Sequence, residues 1–333
     1  ALIGGGVFAA HAENEIRELA DLMQIPVITT MMGISVFPDD DQLFCGMIGT
    51  HGVKMANAAV NECDVLFLVG ARVGDRAVKT PLALEKTTKI IHIDIDPAEI
   101  GKNIGADLPL VGDAKLVLQQ MTELAKPMKH DEWIAHIKTL GGERKYVEPA
   151  KGTVNPRVFI DRLAKKMPAN VTVVADVGQN QIWTCTEYKF RKEGRLLTSG
   201  GMGTMGYSVP AAIGAKMADN SRATVAICGD GAFQMSFMEL ATAVQFGVDI
   251  KVVVMTNNRL GMVRELQTNG YHDRQTAVFL DGSPDFIKLA EAYGIPAMRV
   301  YDDDTMDKGI EMLAEHKGIC LVEVVVDKDM PTL

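Results

Sequence analysis

Short apolar runs rich in Val and Ile alternate along the chain with stretches whose apolar residues recur at helical spacing. Such runs are typical of strands buried on both faces of a parallel sheet, and their alternation with helices indicates an α/β protein. We therefore expect two doubly wound domains with mainly parallel sheets flanked by helices. In the first half, we predict strands at 26–30, 64–70 and 89–94 and helices at 13–23, 51–63 and 114–125.

The second half shows the same alternation. We predict strands there at 171–176, 223–228, 250–256 and 320–326 and helices at 156–166, 206–218, 233–246, 284–293 and 305–316. Residues 126–154, between the halves, are charged and carry the weakest periodicity. We place the domain boundary in this segment, giving domains at 1–150 and 151–333 that are each long enough for a core. The opening Ala1-Leu2-Ile3 and three glycines predict a strand running into a turn, and so abrupt a start suggests a segment removed upstream.

Charge and composition exclude several classes of protein. The chain has 34 Lys and Arg against 43 Asp and Glu, a net charge of −9, and no basic run that would mark a nucleic-acid surface. No apolar stretch reaches the ~18 residues of a membrane span. The five cysteines are scattered, form no CxxC pair and are odd in number. Since no signal peptide is recognisable, we expect buried free thiols and a cytoplasmic protein.

The most informative stretch runs from 225 to 263. One predicted strand ends in a Gly-Asp-Gly motif centred on Asp230, and the next ends at Asn257-Asn258, with 27 residues between Asp230 and Asn257. Both motifs then lie at the carboxyl edge of the sheet, where open α/β sheets bind ligands. Carboxylate and amide oxygens suit Mg²⁺, and glycines let the backbone approach a phosphate. A Gly-Asp-Gly turn without a function is the alternative.

These two motifs resemble the cofactor signature of thiamine diphosphate enzymes, in which Gly-Asp-Gly is followed at about this distance by Asn or Asn-Asn. Three further segments, 176–181, 198–206 and 260–263, are similar to the catalytic subunit of acetolactate synthase (acetohydroxyacid synthase). The resemblance extends over nearly the whole chain. It implies that the second half is the diphosphate-binding domain of that family and the first half its central domain.

For the second half, the resemblance implies a Mg²⁺ site formed by the side chains of Asp230 and Asn257 and the backbone carbonyl of Arg259. Met205 is implied to bend the cofactor so that its amino group meets the thiazolium carbon, and simple core packing is the alternative for this methionine. Residues near the diphosphate or the rings complete the implied cofactor-binding set, which is Gln179, Asn180, Gly203, Met205, Gly231, Ala232, Gly261 and Met262.

For the first half, the resemblance implies a structural FAD with no redox role. Its flavin-contacting segments each follow a predicted strand, where backbone amides face a long dinucleotide. Strand–helix turns of any α/β domain are the alternative. The implied residues are Gly5, Gly6, Thr30, Met31, Met32, Gly49, His51, Gly70, Arg72, Asp94, Ile95 and Asp113.

The pyrimidine-binding domain, the third domain of these enzymes, has no counterpart in this sequence. In the family it supplies a Glu that hydrogen-bonds the aminopyrimidine, and the active site forms between the pyrimidine domain of one subunit and the diphosphate domain of another. We therefore expect this chain alone to be inactive. Truncation, proteolysis and a split gene are all compatible with the sequence.

Two residues bear on the substrate. Arg76 stands in Gly-Asp-Arg where the family has Asp-Asp-Arg, and it is implied to hold the carboxylate of the acceptor ketoacid. A surface or flavin-phosphate contact is the alternative. Leu266 stands where the family has a tryptophan lining the acceptor pocket. We expect a weaker preference for 2-ketobutyrate over pyruvate, unless neighbouring residues fill the gap.

The implied activity is that of acetolactate synthase, a transferase of branched-chain amino acid biosynthesis that uses thiamine diphosphate, Mg²⁺ and FAD. It decarboxylates pyruvate and joins the hydroxyethyl group to a second 2-ketoacid, pyruvate or 2-ketobutyrate. The implied assembly is a homodimer or homotetramer, with a small regulatory subunit as an optional partner. The alternatives are another superfamily enzyme, such as glyoxylate carboligase, oxalyl-CoA decarboxylase or pyruvate oxidase, and a non-catalytic nucleotide-binding or regulatory module.

Overall fold

The computed structural model describes residues 1–142 and 146–333, and the chain divides into two compact units, Ala1–Arg144 and Lys145–Leu333. Each unit contains one sheet of six parallel strands flanked by helices. This confirms the predicted fold class. The domain boundary at 150 stays a prediction, because residues 143–145 lie outside the described part of the chain.

In the first unit, the strands lie side by side in the order β3-β2-β1-β4-β5-β6. Their bounds are β1 (Leu2–Ile3), β2 (Val27–Thr29), β3 (Phe44–Met47), β4 (Val65–Val69), β5 (Lys89–Asp94) and β6 (Leu108–Val111). The helices are α1 (Gly6–Ala9), α2 (Glu13–Met23), α3 (Lys54–Glu62), α4 (Pro81–Leu84), α5 (Ala114–Leu124) and α6 (Asp131–Thr139), with a 3₁₀ turn at Met31–Gly33. The chain winds outward in both directions from β1, so the carboxyl end of β1 is a topological switch point.

In the second unit, the order is β11-β12-β10-β9-β7-β8. The strands are β7 (Thr172–Ala175), β8 (Arg195–Thr198), β9 (Thr224–Gly229), β10 (Lys251–Thr256), β11 (Ala297–Val300) and β12 (Cys320–Val325). The helices are α7 (Pro156–Lys166), α8 (Gln179–Glu187), α9 (Ser208–Ala218), α10 (Asp230–Phe233), α11 (Leu240–Gln245), α12 (Gly261–Gly270), α13 (Phe286–Ala292) and α14 (Asp303–Glu315), with a 3₁₀ turn at Phe237–Glu239.

Buried side chains alternate between the two faces of each sheet, which places a core layer on either side. In β4, Leu68 packs with one cluster in the first unit and Val69 with another. In the second unit, every residue of β10 is buried, and Phe233 meets Phe286 edge-on with ring centroids 5.3 Å apart. Because the interior is covered on both faces, polar groups at the strand ends are confined to the sheet edges.

The helix predicted at 233–246 is wrong as a single element. α10 ends at Phe233, a turn follows, and the chain resumes as a 3₁₀ turn and then α11. Gln234 lies in this turn, and its side-chain Nε2 donates to the Ser283 hydroxyl at 3.2 Å. The turn brings Met235 to the loop before α9, where a Cβ on Gly206 would lie 2.9 Å from the Met235 Cβ.

All five cysteines are free, and four of them, Cys45, Cys185, Cys228 and Cys320, are buried. Burial raises the pKa of the Cys45 and Cys320 thiols to about 11, so both stay protonated at neutral pH. The thiols therefore pack as small apolar groups, as the sequence predicts. Within the described ranges, no helix combines the length and the apolar character that a membrane crossing requires.

Candidate cofactor and metal site

Asp230 joins the ends of two neighbouring strands. It follows β9 directly, and its side chain is 1% exposed. Its Oδ1 accepts the N–H of Gly231 at 2.8 Å, and its Oδ2 accepts the N–H groups of Asn257 at 3.1 Å and Asn258 at 2.6 Å, both just beyond β10. Burial raises the pKa of Asp230 to about 6 against the opposing effect of these hydrogen bonds.

The charge of Asp230 has no cationic side chain beside it among the residues that the structure describes. A buried carboxylate without a countercharge is costly, and a bound divalent cation would supply that charge. Asn257 stands next to it with Oδ1 accepting the N–H of Arg259 at 3.1 Å, which leaves a second lone pair on that oxygen. Carboxylate, amide and carbonyl oxygens form the hard donor set that Mg²⁺ prefers, so the residues fit the ion.

The guanidinium of Arg259 is engaged elsewhere. Its Nη1 donates to Asp281 Oδ1 and to the carbonyl of Asn258, each at 2.7 Å. The guanidinium carbon Cζ lies 4.7 Å from the ring centroid of Phe279. These contacts fix the backbone at 258–260, where Asn258 has a φ of +53°. A guanidinium is a cation with donors only, so the group of Arg259 that could face a metal is its backbone carbonyl, and that role stays a prediction.

A cavity of about 110 Å³ opens beside Asp230. Ten of the predicted residues line it together: Gln179, Asn180, Met205, Asp230, Gly231, Ala232, Asn257, Arg259, Gly261 and Met262. Two residues predicted for the second unit, Gly203 and Leu266, do not line the cavity. Gly203 lies in an exposed loop, and Leu266 lies on α12 with 59% of its surface exposed. The role of each predicted residue stays a prediction, but the structure brings most of the set to one place.

Two glycines keep the cavity open. A Cβ on Gly231 would lie 2.8 Å from Leu260 Cδ2 and 3.4 Å from Met205 Cε, and a Cβ on Gly261 would overlap Gln179 Oε1. The cavity is also lined by the first residues of α8 and of α12, whose N–H groups have no partner within their own helix. Two helix starts facing one cavity favour an anion such as a diphosphate.

Sequence reasoning missed part of this site. Gln179 donates through Nε2 to the carbonyl of Met330 at 2.9 Å and to Thr332 Oγ1 at 3.2 Å, and Trp183 donates to the carbonyl of Pro331 at 3.1 Å. Residues 330–332 therefore lie over the first turn of α8. Trp183 is one turn beyond Gln179 and would have been found if α8 had been recognised as a helix.

In the first unit, the residues predicted to contact a flavin lie at the carboxyl edge of the sheet, each close behind a strand. At the switch point, the backbones of Gly6 and Gly70 pack so closely that a Cβ on Gly6 would lie only 2.7 Å from the Gly70 Cα. Arg72 is exposed, and Ile95 is 71% exposed. Asp113 has a structural contact of its own, since its Oδ1 accepts the N–H of Leu116 at 3.1 Å and caps α5.

Arg76 is also in the first unit, in an exposed segment after β4. Its backbone carbonyl accepts the N–H of Thr50 at 2.9 Å, which ties this segment to the turn that holds Gly49 and His51. The structure thus fixes the backbone of Arg76 beside predicted flavin residues. It leaves the predicted contact with a substrate carboxylate as a prediction.

Comparison with known proteins gives two matches to family models. The central domain of the thiamine pyrophosphate enzymes matches residues 1–121, and their C-terminal TPP binding domain matches residues 176–324. The second match begins at Asp176, at the end of β7, and contains the whole of the cavity described above.

Individual relatives agree with these matches. The chain is 40% identical to a probable acetolactate synthase large subunit of Methanocaldococcus jannaschii, 35% identical to the acetolactate synthase large subunit of Lactococcus lactis and 40% identical to that of Corynebacterium glutamicum. Each match covers 98% of this chain but only 57%, 57% and 54% of the respective relative, so the chain spans little more than half their length. The chain therefore belongs to the thiamine pyrophosphate enzymes, is homologous to acetolactate synthase large subunits, and carries the central and C-terminal domains of that family.

Proposed function

We propose that the protein is the central and diphosphate-binding part of an acetolactate synthase that uses thiamine diphosphate, Mg²⁺ and FAD. The observation that carries this proposal is the buried, uncompensated carboxylate of Asp230, held beside Asn257 on a cavity that two glycines keep open. The relatives are named acetolactate synthases, and the reaction proposed for the complete enzyme joins the hydroxyethyl group of decarboxylated pyruvate to a second 2-ketoacid. The substrates are pyruvate and 2-ketobutyrate.

The residues of the second unit divide the work of binding. Asp230, Asn257 and the carbonyl of Arg259 would hold Mg²⁺, and the first turns of α8 and α12, which line the cavity, would face the diphosphate. Met205 contributes an apolar side chain to the wall of the cavity. When bound, thiamine diphosphate supplies the electron sink for decarboxylation, and the protein supplies orientation and electrostatics.

In the first unit, the residues at the strand ends from β1 to β6 would hold FAD. The close Gly6–Gly70 packing keeps the switch point free of side chains, and a dinucleotide needs such an approach to the backbone. Arg76 holds the carboxylate of the acceptor ketoacid, and Leu266 lines the acceptor pocket. These roles apply to the complete enzyme, a homodimer or homotetramer with a small regulatory subunit as an optional partner.

A product assay tests the proposed activity. Residues 1–333 alone, supplied with pyruvate, thiamine diphosphate, Mg²⁺ and FAD, should form no acetolactate, because the Glu-bearing pyrimidine domain of the family is not part of this sequence. A complete enzyme that carries these residues should form it. Formation of acetaldehyde or acetate without acetolactate by the complete enzyme would assign a different reaction of the same superfamily.

A further inference from the structure

Asp176 is a buried carboxylate outside the predicted set of site residues. It follows β7 and is 0% exposed. Its Oδ1 accepts the N–H groups of Val177 at 2.8 Å and Gly206 at 3.0 Å, and its Oδ2 accepts the N–H of Ser208 at 2.8 Å. Within the described residues, no cationic side chain pairs with it, so its contacts serve to hold backbone in place.

Two of these bonds fix the start of α9. A side-chain oxygen of the N-cap residue commonly accepts one of the first N–H groups of a helix. The N-cap residue of α9 is Tyr207, and its side chain makes no such hydrogen bond. Here the oxygens come from the end of a neighbouring strand. The start of α9 is therefore fixed relative to the sheet, and the position of Gly206 with it.

The hydrogen bonds at the start of α9 also determine where Met205 lies. It precedes Gly206, lines the cavity beside Asp230, and its Cε would touch a Cβ on Gly231 at 3.4 Å. The loop before it is exposed, with Met202 91% exposed, and its Gly203 and Thr204 N–H groups donate to the carbonyl and the hydroxyl of Ser199 at 3.0 and 3.1 Å. The Met205 side chain packs against the core cluster of the second unit, and its backbone is tied to the end of β7 through Gly206.

We propose that Asp176 is a positioning residue that sets Met205 against the thiamine half of the cofactor and takes no part in holding the diphosphate. The inference rests on the proposed cofactor site. It separates the site into two parts with different supports. Asp230 and Asn257, just after β9 and β10, serve the metal and diphosphate, and Asp176, just after β7, serves the apolar wall. A change at Asp176 should therefore affect one part and spare the other.

The test compares two ligands that share the diphosphate. In Asp176→Asn, the remaining carbonyl oxygen can take the place of Oδ1 and still accept from Val177, but the NH₂ group cannot accept from the Ser208 N–H, which disturbs the start of α9 and leaves the start of α8 in place. We expect the Mg²⁺-dependent Kd for thiamine diphosphate to rise roughly tenfold, and the Kd for inorganic pyrophosphate to change less than about twofold. Isothermal titration calorimetry on residues 1–333 measures both.

Met205→Ala is the second variant, and it tests the same link without removing a buried carboxylate. It should weaken thiamine diphosphate and spare pyrophosphate in the same way, and Asp176→Asn/Met205→Ala should be no weaker than Met205→Ala alone. Equal weakening of both ligands in Asp176→Asn, unchanged thiamine diphosphate affinity in either single variant, or additive effects would overturn the inference. Wild-type protein that binds neither ligand would instead overturn the proposed cofactor site, and this inference with it.

Discussion

The Oδ2 atom of Asp230 lies 2.6 Å from the backbone nitrogen of Asn258, so one carboxylate joins the ends of β9 and β10. These strands are hydrogen-bonded neighbours, with Met255 opposite Gly229 in the register. The contact therefore fixes the distance between the two motifs that are 27 residues apart in sequence.

The raised pKa of Asp230 predicts a pH-dependent stability for the metal-free protein. The folded pKa is about 6 and the ordinary value is 3.8, so the folded state holds the proton more tightly than the unfolded state. The stability from this group is fully present below the unfolded pKa and is lost as the pH rises through the folded pKa. From about pH 5 to about pH 7.5, we expect wild type to lose ~1 kcal/mol relative to Asp230→Ala.

Urea unfolding in EDTA measures this difference. In a Trp133→Phe background, the fluorescence of Trp183, which is 2% exposed at the cavity, reports on the second unit alone. Mg²⁺ with pyrophosphate should restore stability at the higher pH, since the cation compensates the carboxylate. If the difference in stability between the two proteins is the same at both pH values, burial does not raise the pKa of Asp230.

Gly261→Ala should close the site without removing a ligand. The added Cβ would overlap Gln179 Oε1, so Gln179 or the start of α12 must shift. We expect a destabilisation of about 1–3 kcal/mol from overpacking and a loss of Mg²⁺-dependent pyrophosphate binding. Calorimetry and urea unfolding measure the two effects.

Gly270→Ala is the matched control in the same helix. A Cβ there meets nothing within 4 Å, and alanine favours helix by up to ~1 kcal/mol over glycine. The control should therefore bind pyrophosphate like wild type and be at least as stable. If Gly261→Ala behaves like Gly270→Ala, the cavity between Gln179 and α12 is not where the diphosphate lies.

Much of the fold was predictable because the central strands are buried on both faces. All four strands that the sequence pattern missed, β3, β6, β8 and β11, are the edges of their sheets. Each has only four residues, and β6 has no buried residue at all. An edge strand has a neighbouring strand on one side only and is less fully buried than a central strand. Its sequence therefore lacks the continuous Val and Ile run on which the prediction depends.

The missed helices have other causes. Every residue of α8 is buried although most are polar, so polar and apolar residues are not separated onto two faces and no helical period can be detected. α12 begins and ends in glycine, which reads as loop, and its first glycine is explained only by the contact with Gln179. The motif residues that line the cavity could be singled out from the sequence. Trp183 was missed because α8 was missed, and the contacts of Asp176 and residues 330–332 could not be predicted because they join distant parts of the chain.

Arg76→Gln in the complete enzyme should separate the two steps of the proposed reaction. A guanidinium holds a carboxylate in a bidentate fork, and the amide of glutamine cannot. We expect acetohydroxy acid yield to fall roughly tenfold while decarboxylation of pyruvate continues. Parallel assays of CO₂ and acetolactate measure this, and equal loss of both would indicate a structural or flavin-binding role.

Leu266→Trp in the complete enzyme should shift the choice of acceptor. Tryptophan restores a large apolar surface, and one methylene in an apolar pocket is worth only ~1–3 kcal/mol of discrimination. In competition between the two ketoacids, we expect more acetohydroxybutyrate relative to acetolactate than in the wild type. An unchanged product ratio would show that Leu266, which is 59% exposed in this chain, does not line the acceptor pocket.

The most direct measurement is calorimetric titration of residues 1–333 with thiamine diphosphate, with and without Mg²⁺, in wild type and Asp230→Ala. Asp304→Ala, an exposed aspartate on α14, is the matched control. We expect binding to wild type and to Asp304→Ala only when Mg²⁺ is present, and none to Asp230→Ala. Binding that is the same without Mg²⁺, or that survives in Asp230→Ala, would contradict the assignment of this cavity as the metal-dependent cofactor site.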